Sequence, residues 1–185
     1  MTLPLETAGP KVVGVDPSLT STGLAVIHHG SAQCYTIRPG GLRDHERLAY
    51  LGKKVASWCE GADLIVIEGG AYAAKFQAFD LGGLFWVLTH YLWIKDMRYA
   101  VVPPACLKKY VTGSGGGAKA SKDRVLAAAI NRFGGTQIDG NDQADALGLA
   151  AMGADWLGFP IAQMPVAHRQ VLATIKWPAH LKPAA

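Results

Sequence analysis

Cysteine and charge are both scarce in this sequence. Three cysteines, Cys34, Cys59 and Cys106, lie far apart in 185 residues. An odd count without the paired spacing of a zinc site excludes a disulfide framework or a cysteine-held metal, and the thiols read as buried groups in a reducing compartment. The six histidines offer no ligand pair either. Only 17% of the residues are charged against 50% hydrophobic, which excludes wholesale disorder. No stretch attains the roughly 18 apolar residues of a membrane span. The opening MTLPLETAGP lacks the basic start and apolar core of a signal peptide. A cytoplasmic address and no membrane association are the expectations.

What charge there is leans positive, +4 overall with a pI near 9.0. That balance suits a polyanionic partner, but ordinary soluble proteins carry it too, so it decides nothing alone. The length suits one compact body, expected over residues 1–158, with a tail over 159–185 marked by Pro160, Pro165, Pro178 and Pro183. That tail reads as an extended appendage draped on the body, or as partly disordered.

Hydrophobic periodicity predicts an α/β domain. Lys11–Val15 is a β-branched run closed by Pro17, and Gly23–His28 and Gln33–Ile37 follow as two more strands around the hairpin signal HHGS. Leu42–Trp58 carries a helical period, Asp63–Glu68 is a buried strand, and Tyr99–Val102 is another strand ended by two prolines. Between them Ala74–Asp96 is apolar nearly all round. The spacing assigns Phe79, Leu84, Val87 and Tyr91 to one stripe and Phe85, Trp86, Leu88 and Trp93 to another. Next comes CLKKYVTGSGGGAKASKDR, expected as a flexible basic loop with no core of its own. Helices are expected over Val125–Phe133 and Asn141–Leu157, the latter rich in alanine and glycine that permit close approach to a sheet.

Four acids stand out by position. Asp16 ends the first strand, Glu68 ends the fourth, and Asp142 and Asp145 lie at i and i+3 of the last long helix, hence on one face. Each alone has an ordinary reading, as a turn residue or as a favourable charge at a helix start. If the first and fourth strands are parallel neighbours, all four meet in one hollow. Such a cluster must protonate, spread apart, or bind divalent cations through oxygen ligands, which favours Mg²⁺ or Mn²⁺ over zinc.

The same residues carry a family resemblance. GVDPSLTSTGLAVI with Asp16, LIVIEGG with Glu68, the helix LGGLFWVLTHYLW, the segment KKYVTGSGGGAKASKDRV and NDQADALGLA with Asp142 and Asp145 together resemble the RuvC family of Holliday junction resolvases. The resemblance covers most of the chain. It implies an RNase H-like α/β fold, a mixed five-stranded sheet flanked by helices, and a homodimer that binds four-way DNA junctions. It also implies symmetric nicking of two strands to leave 5′-phosphate and 3′-hydroxyl ends. Carried over, Asp16, Glu68, Asp142 and Asp145 become the ligands of two Mg²⁺ ions, which Mn²⁺ can replace, and Lys108 and Lys122 match the basic positions beside the scissile phosphate. Lys122 is also assigned to catalysis, with Lys119 as an alternative nearby. Read from the residues themselves, Lys108, Lys109, Lys119, Lys122, Arg124 and Arg132 give one face a basic stripe, expected to bind DNA. Tyr72, in EGGAYAAKF, takes the place of the family's aromatic wedge, with one residue fewer before the next helix. The SGGG insert and the long tail look closer to phage-encoded members.

A twofold dimer is also expected physically, because a helix apolar on all sides leaves a second face to cover and paired symmetric cuts need two sites related by a dyad. Three rivals remain open: a nuclease of the same fold acting on flaps, forks or hybrids, a catalytically idle junction-binding module, and an actin-like nucleotide-binding domain that opens with a similar strand, acid and threonine-rich turn.

Overall fold

A computed structural model describes residues 9–70, 78–179 and 181. β1 (Val12–Asp16), β2 (Thr22–His28) and β3 (Ser31–Ile37) form an antiparallel meander. β4 (Leu64–Glu68) joins β1 in parallel and β5 (Tyr99–Val102) joins β4 in parallel, so the mixed five-stranded sheet runs β3-β2-β1-β4-β5. The β2–β3 loop is two residues, His29 and Gly30, both at positive φ. That geometry matches the right-handed twist of the strands it joins.

The expected adjacency of β1 and β4 is therefore present, with Val12 opposite Leu64 and Val15 opposite Ile67. Side chains alternate across the sheet with period two. Val13, Val15, Ile65 and Ile67 enter a core beneath α1 (Asp44–Trp58) and α2 (Ala78–Ile94), whereas Val12, Leu64 and Val66 enter a second core beneath α5 (Asn141–Trp156). Counting on by two, Asp16 and Glu68 emerge on the α5 side. α5 lies close on β1 because its small residues permit it: a Cβ on Gly14 would fall 2.0 Å from the Ala146 carbonyl oxygen and 2.6 Å from the Ala150 nitrogen.

Three expectations are corrected. The basic segment is not a loop throughout. α3 (Pro104–Thr112) buries Leu107, Tyr110 and Val111, an i, i+3, i+4 stripe, and ends in Gly113 in the left-handed conformation. After the glycines a single 3₁₀ turn leads into α4 (Lys122–Arg132), which starts three residues earlier than its apolar period suggested. The tail does lie on the body, but it is not extended throughout. α6 (Val166–Arg169) and a 3₁₀ turn over Gln170–Thr174 bury Val171 and Leu172 together with Ile175, and Trp177 stacks on Trp156 at 4.7 Å. Finally, the stripes of α2 divide differently. Leu84, Leu88 and Leu92 face the core together, while Phe79, Trp86 and Trp93 are 92%, 72% and 70% exposed.

Candidate metal centre

The acids reach one another from three elements. Asp16 is the last residue of β1 and buried, Glu68 is the last of β4, and Asp142 and Asp145 stand in the first turns of α5. Two rigid, paired strands and a helix pressed onto them fix the backbone beneath each carboxyl. The start of α5 is pinned further by Gln143, buried beside Asp142, whose Oε1 accepts from the Asp139 amide at 2.7 Å and whose Nε2 donates to Thr36 Oγ1 at 3.0 Å.

Electrostatics register the crowding. Burial, then the charges of Glu68 and Asp145, push the Asp16 carboxyl well above its ordinary range, and it shares a side-chain hydrogen bond with Glu68. Burial and Asp145 raise Glu68 to about 7, with the Asp16 hydrogen bond, Lys108 and Lys122 pulling the other way. Asp145 is raised by burial to about 6, against the same two lysines. Desolvation and like charge both disfavour the ionised forms of Asp16, Glu68 and Asp145.

The donor set suits hard divalent cations: carboxylate oxygens only, with no thiol or imidazole among them. Among the described residues no three such side chains close on one point as a ready-made cage. The fit therefore rests on donor chemistry and on the mutual repulsion that a cation would relieve. Asp16, Glu68, Asp142 and Asp145 are the residues that could hold it.

Of the basic residues singled out, Lys108 on α3 and Lys122 at the first position of α4 act on Glu68 and Asp145. Lys109, Lys119 and Arg124 are exposed on α3, the 3₁₀ turn and α4. Tyr72 lies outside the described residues. Sequence reasoning missed Ser21, whose hydroxyl donates to Asp142 Oδ2 across 121 residues. The signal available for it was only a run of hydroxyl residues in a turn. Among the described residues no helix is long and apolar enough to cross a membrane.

Known proteins resemble the chain in sequence and in fold. The chain is 29% identical over 157 residues, 77% of its own length and 68% of the relative's, to the crossover junction endodeoxyribonuclease RuvC of Corynebacterium glutamicum. In structure it matches Thermus thermophilus RuvC with a TM-score of 0.62 at 17% identity, covering 84% of this chain and 99% of that one. It matches T. thermophilus RuvC in complex with Holliday junction substrate with a TM-score of 0.64 at 16% identity over the same shares. No protein-family model matches the chain. The fold is RNase H-like, as in those structures.

Proposed function

We propose that this chain, a homologue of the RuvC crossover junction endodeoxyribonucleases in sequence and fold, is a metal-dependent, structure-selective endodeoxyribonuclease that resolves four-way DNA junctions by symmetric nicking. The observation that carries this reading is the convergence of Asp16, Glu68, Asp142 and Asp145 on one side of the sheet, with Lys108 and Lys122 acting on two of them.

Two Mg²⁺ ions, or Mn²⁺ in their stead, held by these four carboxylates would supply Lewis acidity for water activation and charge neutralisation at the departing 3′ oxygen. The chain's own residues do the rest. Strand ends β1 and β4 and the first turns of α5 keep the acids from drifting as a phosphodiester is seated. Lys108 and Lys122 offset negative charge that builds on the phosphoryl oxygens during in-line attack, an effect largest where water is excluded. Exposed Lys109, Lys119 and Arg124 bind backbone phosphates, so affinity falls steeply with salt. Scission leaves a 5′-phosphate and a 3′-hydroxyl. Tyr72 is proposed as the base wedge at the crossover, stacking on an unpaired base.

The active unit is proposed to be a homodimer. Trp86 and Trp93 stand exposed on α2, next to a groove between α1 and α2 lined by Leu48, Val87, His90 and Tyr91. A second copy related by a twofold axis covers such a face and supplies the second active site that paired nicks require.

The test compares a synthetic four-way junction, a flap and an RNA–DNA hybrid in Mg²⁺, with Asp16→Asn as control. Paired cuts in the junction, absent with Asp16→Asn, are expected. Preferential cutting of the flap or hybrid would move the chain to another substrate class, and undiminished cutting by Asp16→Asn would remove the acids from the reaction.

A further inference from the structure

Ser21 occupies the polar turn between β1 and β2, a turn closed on itself by hydroxyl groups. The Ser18 amide donates to Thr22 Oγ1 at 3.1 Å, Thr22 Oγ1 donates to the Ser18 carbonyl at 2.7 Å, and the Ser21 amide donates to Ser18 Oγ at 3.2 Å. Thr22 is fully buried, so this small network is not free to swing. From it the Ser21 hydroxyl reaches over to donate to Asp142 Oδ2. The neighbouring backbone touches Asp142 as well: a Cβ on Gly23 would fall 2.0 Å from the Asp142 carbonyl oxygen. Asp142 is thus held at its main chain by Gly23 and at its carboxylate by Ser21.

We propose that Ser21 is a positioning residue for Asp142, occupying Oδ2 so that the carboxylate keeps one rotation and offers Oδ1 as its donor to a divalent cation. This rests on the reading of the four acids as a cation site. The choice of residue type follows from the charge of that site. An arginine or lysine in the same turn would neutralise Asp142 and compete with the cation, whereas an apolar residue would let the carboxylate rotate away from Asp145 and the other acids. A hydroxyl orients the group and leaves its charge intact. Outer partners of metal-ligating carboxylates act in this manner, and removing them typically weakens metal binding by about 10- to 100-fold.

The experiment measures Mn²⁺ binding to the DNA-free protein by electron paramagnetic resonance, alongside the Mg²⁺ dependence of junction cleavage and the melting temperature in EDTA. Ser21→Ala should weaken Mn²⁺ binding about tenfold and raise the Mg²⁺ midpoint of cleavage by a similar factor, with junction affinity in EDTA unchanged. Ser21→Thr and Ser21→Val have nearly the same shape and differ in the hydroxyl, so the threonine variant should bind Mn²⁺ more tightly than the valine one even if both melt lower than the parent. Equal Mn²⁺ binding by Thr and Val variants, or parental binding by Ser21→Ala, would overturn the proposal. Asp16→Asn separates the two levels. If it loses Mn²⁺ and cleavage while the Ser21 variants match the parent, the role of Ser21 alone fails; if it retains both, the cation site itself fails.

Discussion

Arg169 closes on Asp155 with Nη2 2.8 Å from Oδ1 and Nε 3.1 Å from Oδ2, and the carboxylate it grips has no solvent exposure. Tyr110 Oη donates to the same Oδ2 at 3.1 Å, and the Tyr110 carbonyl lies 2.8 Å from His168 Nδ1. Burial, then the Asp155 charge, raises the Tyr110 phenol well above its ordinary value, which keeps it protonated as the donor. One buried charge thereby ties α5, α3 and α6 together, and α3 is the helix that carries Lys108. The tail after Phe159 is a brace for the basic helix beside the acids.

Removing the guanidinium strands that carboxylate. Arg169→Ala should cost on the order of 2 to 4 kcal/mol, less than the full penalty of a severed buried pair because the arginine is itself half exposed. Asp155→Asn combined with Arg169→Gln should recover part of the loss, since no charge is then left buried. Urea denaturation of the single and double variants measures it. A double variant less stable than Arg169→Ala would show that the buried charge is not the cause.

How much of this could be read in the sequence differed by residue. The strands and their terminal acids were legible because VVGVD and LIVIE are short β-branched runs ended by a lone carboxylate, a local signal. α3 carried a usable signal in Leu107, Tyr110 and Val111, but two lysines within it and SGGG behind it favoured a loop. Burial of Val171, Leu172 and Ile175 was not legible, since proline-broken segments gain their apolar contacts from distant elements and have no period of their own. The Ser21–Asp142 and Asp155–Arg169 bonds belong to tertiary structure, and one residue type at one position does not announce its partner. Neither could the sequence say which stripe of α2 faces the core when nearly every position is apolar.

Stability should depend on pH through the acid cluster, with a sign opposite to that of salt-bridged carboxylates. Glu68 and Asp145 rise from ordinary values of 4.5 and 3.8 to about 7 and about 6, so the folded chain binds protons more tightly than the unfolded one. Their contribution is fully present below about pH 4 and is lost as the pH rises through 6 and 7. Asp145→Asn removes one charge from the cluster. In EDTA at pH 8 it should melt above the parent by about 3 to 6 °C, given that each kcal/mol is worth about 2 to 4 °C in a chain of this length. The gap should close at pH 4, and Mg²⁺ should raise the parent more than the variant. A gap independent of pH would contradict the coupling.

Close approach of α5 to β1 is a separate requirement. Gly14→Ala drives a methyl group into backbone atoms of Ala146 and Ala150, which cannot yield as a side chain would. The expected loss is about 3 kcal/mol or more, at the upper end for overpacking, together with parting of Asp16 from Asp142 and Asp145. Gly41→Ala, whose added carbon meets nothing within 4 Å, should leave stability within about 0.5 kcal/mol. Equal stability of the two variants by urea denaturation would count against the packing described.

The basic residues should separate by role. Lys122→Ala should slow cleavage with little loss of junction affinity, because its charge acts on Glu68 and Asp145. Exposed Lys109, replaced by alanine, should weaken binding and lower the salt slope by about one, as expected for a phosphate contact. Single-turnover rates and salt-dependent binding isotherms measure the two effects. Loss of affinity with an unchanged rate for Lys122→Ala would reverse the assignment.

The α2 face tests the dimer. Trp86 and Trp93 are mostly exposed, with His90 stacked on Trp93 at 6.1 Å, so aromatic rings dominate this part of α2. Self-association of such a face around a dyad buries both tryptophans of each copy, and a carboxylate introduced at its centre meets its own image across the axis. Trp86→Glu should therefore yield monomers in sedimentation velocity at concentrations where the parent sediments as a dimer. The substitution leaves the core untouched, since Leu84, Leu88 and Leu92 face the other way, so the melting temperature of the monomeric variant should stay near that of the parent extrapolated to low concentration. Cleavage should change in kind as well as in amount: the monomer, with one active site, would release singly nicked junctions where the dimer releases paired nicks. A monomeric parent, or a Trp86→Glu variant that still dimerises and nicks in pairs, would put the second active site elsewhere than across α2.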